Sequence, residues 1–139
     1  MKFKEAVTYD DMLMVPQYSD ITSRNEVDIK SYLGDREFSI PIIASPMDTI
    51  SEGAMGNAMG KVGASAIIHR YNTIQEQMSE VNRVNSPRII GAAIGISGDY
   101  LERASALVDH GVDFLCVDVA HGHHIMMKEA LHQLRNLFG

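Results

Sequence analysis

Arg88-Ile89-Ile90-Gly91-Ala92-Ala93-Ile94-Gly95 is the stretch that decides the fold. After its first residue it is apolar, it never alternates with polar positions, and it ends on glycine. A strand with one solvated face would alternate, so this run reads as a strand buried on both faces, as in a parallel sheet. Three more runs share the pattern: Pro41-Ile42-Ile43-Ala44-Ser45, Ala64-Ser65-Ala66-Ile67-Ile68-His69, and Phe114-Leu115-Cys116-Val117-Asp118-Val119. Their centres fall near residues 43, 67, 91 and 116, at intervals of 24, 24 and 25 residues.

Helical periodicity fills the gaps. After Ser51, read as an N-cap, Ala54, Met55, Ala58, Met59 and Val62 share one face. After Thr73, the positions Ile74, Met78, Val81 and Val84 recur at helical spacing, with Glu76 near the positive N-terminus. After Ser97 come Leu101, Ala104, Leu107 and Val108, closed by Gly111 as a C′ residue. A fourth helix starts near His124, with Met127, Ala130, Leu131 and Leu134 inward. A strand, a helix and two short loops account for each interval, so the chain holds four successive βα units. The fold class is therefore α/β.

A complete (β/α)8 barrel needs roughly 200 residues or more. Residues 41–139 are expected to form about the first half of one, with residues 1–40 as an N-terminal arm that closes one end of the sheet. The alternative is an open doubly wound sheet, but no G-x-G-x-x-G opens a helix after a strand here.

Composition narrows the function classes. Of 139 residues, 45% are hydrophobic and 22% charged, which is globular rather than disordered. A single cysteine forms no internal disulfide and suits a reducing cytoplasm. A net charge of −6 argues against a nucleic-acid or anionic-membrane partner. No run approaches the roughly 20 apolar residues of a membrane span.

In parallel α/β folds, ligands sit where strands end and βα loops begin. That rule selects Ser45 to Thr49, His69 to Asn72, Gly95 to Gly98, and Asp118 to His124. Asp118 interrupts an apolar run, where a carboxylate is costly unless partnered. It either accepts hydrogen bonds from a ligand or caps the next helix. Arg70 offers a guanidinium to a phosphate or carboxylate, or is an ordinary surface arginine. Ser45 and Ser97-Gly98 supply donors of the kind that bind phosphate at helix N-termini. His121, His123 and His124 lack the i,i+4 spacing and the acidic or thiol partners of a metal centre, so no metal site is assigned. Cys116, in mid-strand, reads as a small core residue with a raised pKa and not as a nucleophile. The methionines read as core filler.

Six ordered segments together resemble the IMP dehydrogenase/GMP reductase family: Tyr9 to Pro16, Ser23 to Asp28, Pro41 to Thr49, Ile68 to Asn72, Gly91 to Gly95, and Val117 to His123. The resemblance covers nearly the whole chain. It implies a barrel enzyme that binds a purine mononucleotide, GMP or IMP, and a nicotinamide cofactor at the strand C-termini. It further implies a tetrameric homo-oligomer. Carried over, Ser45 and Met47 match nucleotide-side positions, and Asp118, Val119 and Ala120 match the cofactor-contacting strand end. Ser23, Arg24 and Arg70 match positions that contact NADPH in the reductases.

The resemblance leaves three readings. Asn82 to Pro87 passes straight into a strand where most dehydrogenases insert a CBS pair, and the Ser23-Arg24 and His69-Arg70-Tyr71 patterns look reductase-like. These features favour GMP reductase with NADP. Ser45-Pro46-Met47-Asp48 and Gly91-Ala92-Ala93 look more like a dehydrogenase without CBS modules, using NAD. In the family, the nucleophilic cysteine lies on a loop two strands beyond the position of Gly139. No residue here is therefore expected to be the catalytic nucleophile, and the chain alone is expected to be inactive. A non-catalytic half-barrel that binds nucleotide or assembles with another barrel is the third reading.

Overall fold

A computed structural model of the protein describes residues 3–85 and 89–139. The arm comes first: residues 3–30 are exposed throughout and contain two 3-10 turns, Tyr9–Asp11 and Arg24–Glu26. An antiparallel hairpin follows, β1 (Ser31–Leu33) and β2 (Arg36–Phe38), which the strand pattern did not anticipate. Gly34, at φ 61°, supplies its tight turn. The hairpin sits at the N-terminal ends of the later strands. Phe38 is buried, Ile40 N–H donates to Gly63 O, and Arg36 Nε lies 3.4 Å from Asp113 Oδ1.

The remaining elements alternate: β3 (Ile43–Ala44), α1 (Gly53–Lys61), β4 (Ser65–Ile68), α2 (Ile74–Asn82), β5 (Ile90–Ile94), α3 (Tyr100–Asp109), β6 (Phe114–Val117) and α4 (Ile125–Phe138). The strands form one parallel sheet in sequential order, β3-β4-β5-β6. Ala44, Ala66, Ile68, Ile90, Ala92, Ile94, Leu115 and Val117 join Met59, Val81, Leu107 and Leu134 in a single core cluster. All four helices thus pack on the same face of the sheet. A doubly wound sheet would have helices on both faces, so sequential strands with one-sided helices are the wall of a (β/α)8 barrel.

The opposite face carries Ile43, Ser65, Ile67, Gly91, Ala93, Phe114 and Cys116, by the period-two alternation of strand side chains. Glycine at 91 makes room for the Phe114 ring of the neighbouring strand: a Cβ built there would fall 2.3 Å from it. Only β5 is buried along its whole length. β3 and β6 are partly exposed, which corrects the expectation that every strand is buried on both faces. They are the edges of the sheet: among the described residues each has a strand on one side only.

Helix details depart from the periodicity in instructive ways. Glu52, and not Ser51, occupies the α1 N-cap position, because the Ser51 hydroxyl donates to Ser45 O instead. The buried face of α1 is Gly53, Gly56 and Gly60; Ala54, Ala58 and Val62 are exposed, and Met55 and Met59 are only partly buried. A Cβ on Gly56 would lie 2.6 Å from Val84, so glycine lets the helix approach its neighbours more closely than an apolar stripe could. Thr73 caps α2 in a full capping box with Glu76. The Thr73 backbone N–H and hydroxyl hold the Glu76 carboxyl below its usual range. In α3 the N-cap position is Asp99 and Val108 is exposed, while Gly111, at φ 78°, is the C′ residue as expected. In α4, Ala130 and Leu134 are buried but Leu131 is 49% exposed, lining an open cavity with Leu115 and Val117 of β6 at the edge of the sheet. Ser86, Pro87 and Arg88, which bear on the uninterrupted approach to β5, lie outside the described residues. Among the described residues, no helix is long and apolar enough to cross a membrane.

Candidate functional site at the strand ends

The C-terminal ends of the four parallel strands bring together residues from distant parts of the chain. After β3 the backbone turns sharply. The carbonyl of Met47 accepts from the N–H groups of Ile50 and Ser51, at 3.2 and 2.9 Å. Thr49 is held at φ 60°, in the left-handed region that a β-branched residue avoids. Strain of this kind persists only where surrounding contacts hold it, and it clusters at ligand sites. Ser45 and Met47 are exposed on this loop, with Met47 at 51%.

The loop after β4 is anchored by His69, which is only 3% exposed. Its backbone N–H donates to Ser51 O at 3.1 Å, tying this loop to the one after β3. Its Nδ1 accepts from Tyr71 N–H at 3.2 Å, which leaves Nε2 to carry the proton toward Glu52 Oε1, 3.4 Å away.

Arg70 then reaches across the end of β5 to the end of β6. Its Nη2 donates to Asp118 O at 3.0 Å, and its Nε lies 3.5 Å from Asp118 Oδ2. The guanidinium passes over Gly95, with Nη1 3.5 Å from where a Cβ would stand. Arg70 is thus neither an unattached surface arginine nor, in this state, a free phosphate ligand. Asp118 does not cap the next helix, because His124 does, accepting from Met126 N–H at 3.2 Å. By alternation with Phe114 and Cys116, Asp118 faces the barrel interior. Val119 is half-buried and Ala120 exposed beside it. The His121 and His124 rings meet edge to face, with centroids 6.1 Å apart.

Cys116 sits two residues before Asp118 on the same face, partly exposed and outside the core cluster that Leu115 and Val117 join, so it is not the small core residue expected from its mid-strand position. Burial, and secondarily the Asp118 carboxylate, pushes its thiol above the ordinary range. Ser23 and Arg24 are placed elsewhere. Ser23 caps the second 3-10 turn, accepting from Asn25 N–H, and Arg24 is exposed on that turn. Among the described residues, no hydrogen bond or ion pair joins either one to the strand ends, because nothing packs on the arm that carries them.

Sequence reading missed two buried residues behind this site. Gln77 is fully buried in α2 and Arg103 is 6% exposed in α3. Both had a signal. Gln77 lies four residues before Val81, on the apolar stripe, and Arg103 follows Asp99 at helical i,i+4 spacing.

The Asp118 carboxylate, about one third exposed, can accept from hydroxyls, as an acid at a strand end does toward a ribose. Arg70 Nε–H is buried 3.5 Å from that carboxylate, so it holds Asp118 in place.

Comparison with known proteins identifies the family. Residues 6–139 match the family model described as the IMP dehydrogenase / GMP reductase domain. The crystal structure of inosine 5′ monophosphate dehydrogenase from Legionella pneumophila superposes with a TM-score of 0.86 at 40% identity, covering 97% of this chain and 42% of that one. Inosine-5′-monophosphate dehydrogenase of Nitrosopumilus maritimus (strain SCM1) is 48% identical over 85 residues, 60% of this chain and 18% of that protein. The enzyme of the same name from Cryptosporidium parvum is 28% identical over 177 residues, 95% of this chain and 44% of that protein. The chain therefore spans less than half the length of each of these relatives.

Proposed function

Because the chain belongs to the IMP dehydrogenase/GMP reductase family, we propose that it forms the nucleotide-contacting half of an IMP dehydrogenase-type barrel, an NAD-dependent oxidoreductase acting on IMP. The observation that carries the reading is the bridge from Arg70 over Gly95 to Asp118 at the strand ends. The expectation from sequence leaned toward GMP reductase with NADP. The matched relatives are named as inosine-5′-monophosphate dehydrogenases and support the other branch, with NAD.

In this reading Asp118 accepts hydrogen bonds from a ribose of the dinucleotide, and Val119 and Ala120 line its path. Arg70 orients Asp118. Ser45 and Met47, on the strained loop after β3, contact the mononucleotide. Ser23 and Arg24 would reach a cofactor only if the arm folds over the strand ends. NAD, when bound, supplies the hydride acceptor. The chain's own residues bind and orient, and none of them is proposed as the nucleophile. The division into an arm, residues 1–40, and a barrel part, residues 41–139, belongs to the same proposal.

Calorimetric titration with IMP, GMP, NAD and NADPH tests it. Binding of IMP and NAD in preference to GMP and NADPH is expected. The reverse preference would return the reading to the reductase. Binding of none of the four at millimolar concentration would leave a half-barrel that acts only in assembly.

A further inference from the structure

A buried polar network lies directly behind the strand ends, and nothing in the proposed binding contacts uses it. Arg103 donates from Nη1 to Gln77 Oε1 at 2.8 Å, and from Nη2 to Asn72 O at 3.0 Å and Asp99 Oδ2 at 2.8 Å. Its Nε lies 3.4 Å from Asp99 Oδ1. Gln77 donates in turn from Nε2 to Ala93 O at 2.8 Å and to Ile68 O at 3.2 Å. The two side chains therefore grip the loop after β4 at both ends, Gln77 at Ile68 and Arg103 at Asn72. Arg70 lies between those anchors.

The geometry points to Arg103 as a positioning residue: acting with Gln77 through the Ile68 and Asn72 carbonyls, it fixes the 69–72 loop so that the Arg70 guanidinium reaches Asp118. This inference rests on the dinucleotide reading above for its functional meaning, though not for its structural content. Stability alone does not call for such a network. Replacing buried charged groups with well-packed apolar ones is often neutral or stabilising, so an arginine buried here is better explained by what it aligns. Its planar fork serves several acceptors on different elements at once, which a lysine cannot do.

The test uses the whole chain and three variants. Arg103→Met removes the fork, Arg103→Lys keeps the charge beside Asp99 without the fork, and Leu107→Ala destabilises the same helix without touching the network. The first readout needs no ligand: the side-chain Nε–H resonance of Arg70 in 15N NMR. It is expected to be lost or shifted to its solvent-exposed position in Arg103→Met, to move partway in Arg103→Lys, and to stay unchanged in Leu107→Ala. The second readout is NAD affinity, expected to fall about tenfold or more in Arg103→Met, as misplacement of a binding group produces. Little further loss is expected when Arg70→Ala is added. An Arg70 resonance unmoved in both Arg103 variants would overturn the inference, as would a loss of affinity that Leu107→Ala reproduces. If Arg103→Met does not fold, Arg103→Lys decides by the same resonance. If the unmodified chain binds no NAD, the functional reading fails, while the resonance still judges the positioning role.

Discussion

Arg70 and Asp118 are 48 residues apart in sequence and joined twice in space, by Nη2 to the Asp118 carbonyl at 3.0 Å and by Nε to its carboxylate at 3.5 Å. The side chains are 32% and 30% exposed, so the carboxylate contact is partly screened. It is worth only about 1 kcal/mol to the fold. Its larger consequence is orientation, since a carboxylate left alone at the end of an apolar strand has several rotamers to choose from.

From this it follows that Asp118→Asn lowers stability by no more than about 1 kcal/mol in urea denaturation. The same substitution is expected to weaken NAD binding far more than that stability change accounts for. Equal losses in the two measurements would show that Asp118 serves only the fold.

Thr49 leads to a stabilising substitution. Holding a non-glycine residue in the left-handed region costs about 1–2 kcal/mol, and Thr49 sits there at φ 60°. Thr49→Gly relieves that strain, and the extra freedom of glycine in the unfolded chain takes back about 0.5–1 kcal/mol. A net gain of up to about 1.5 kcal/mol is expected, with weaker IMP binding because the loop is less restrained. A loss of stability by chemical denaturation would mean that Thr49 makes contacts that outweigh its backbone strain.

Gly91→Ala goes the other way. The added carbon would stand 2.3 Å from the Phe114 ring, so the ring must leave the place it holds against β5. Overpacking of this kind costs about 1–3 kcal/mol. Combining it with Phe114→Leu should recover most of the loss, which thermal unfolding of the single and double variants would reveal.

Cys116 supplies the pH prediction. Burial, with the Asp118 charge second, raises its thiol pKa in the folded chain, so the neutral form is favoured by folding. Its contribution to stability is complete below the ordinary thiol range and is lost as pH rises through the higher folded value. Iodoacetamide should therefore modify the native chain slowly near neutrality, with the rate rising at higher pH than for a model thiol. Rapid alkylation at pH 7 would contradict a thiol pKa raised by burial and by Asp118.

Much of the architecture was legible in the chain. Even spacing of four unalternating runs identified the βα units, and Thr73 and Gly111 marked helix ends through chemistry local to each. Less legible were features that depend on a neighbour distant in sequence. Ser51 resembles a cap until Ser45 O is seen to take its hydroxyl. The apolar stripe of α1 gave the wrong inward face because glycines dock closest. The β1–β2 hairpin is only three residues per strand, too short for a periodic signal.

For this protein the sequence by itself determined the fold class, the loops that end each strand, and the family. Each of these depends on local propensity, hydrophobic period, or the order of short motifs along the chain. Only the tertiary structure decided that the helices share one face of the sheet, that Arg70 finds Asp118, and that Gln77 and Arg103 are buried behind them. Those outcomes depend on which strands lie side by side. A guanidinium or a carboxylate carries no mark in the sequence of the partner it will meet across a sheet.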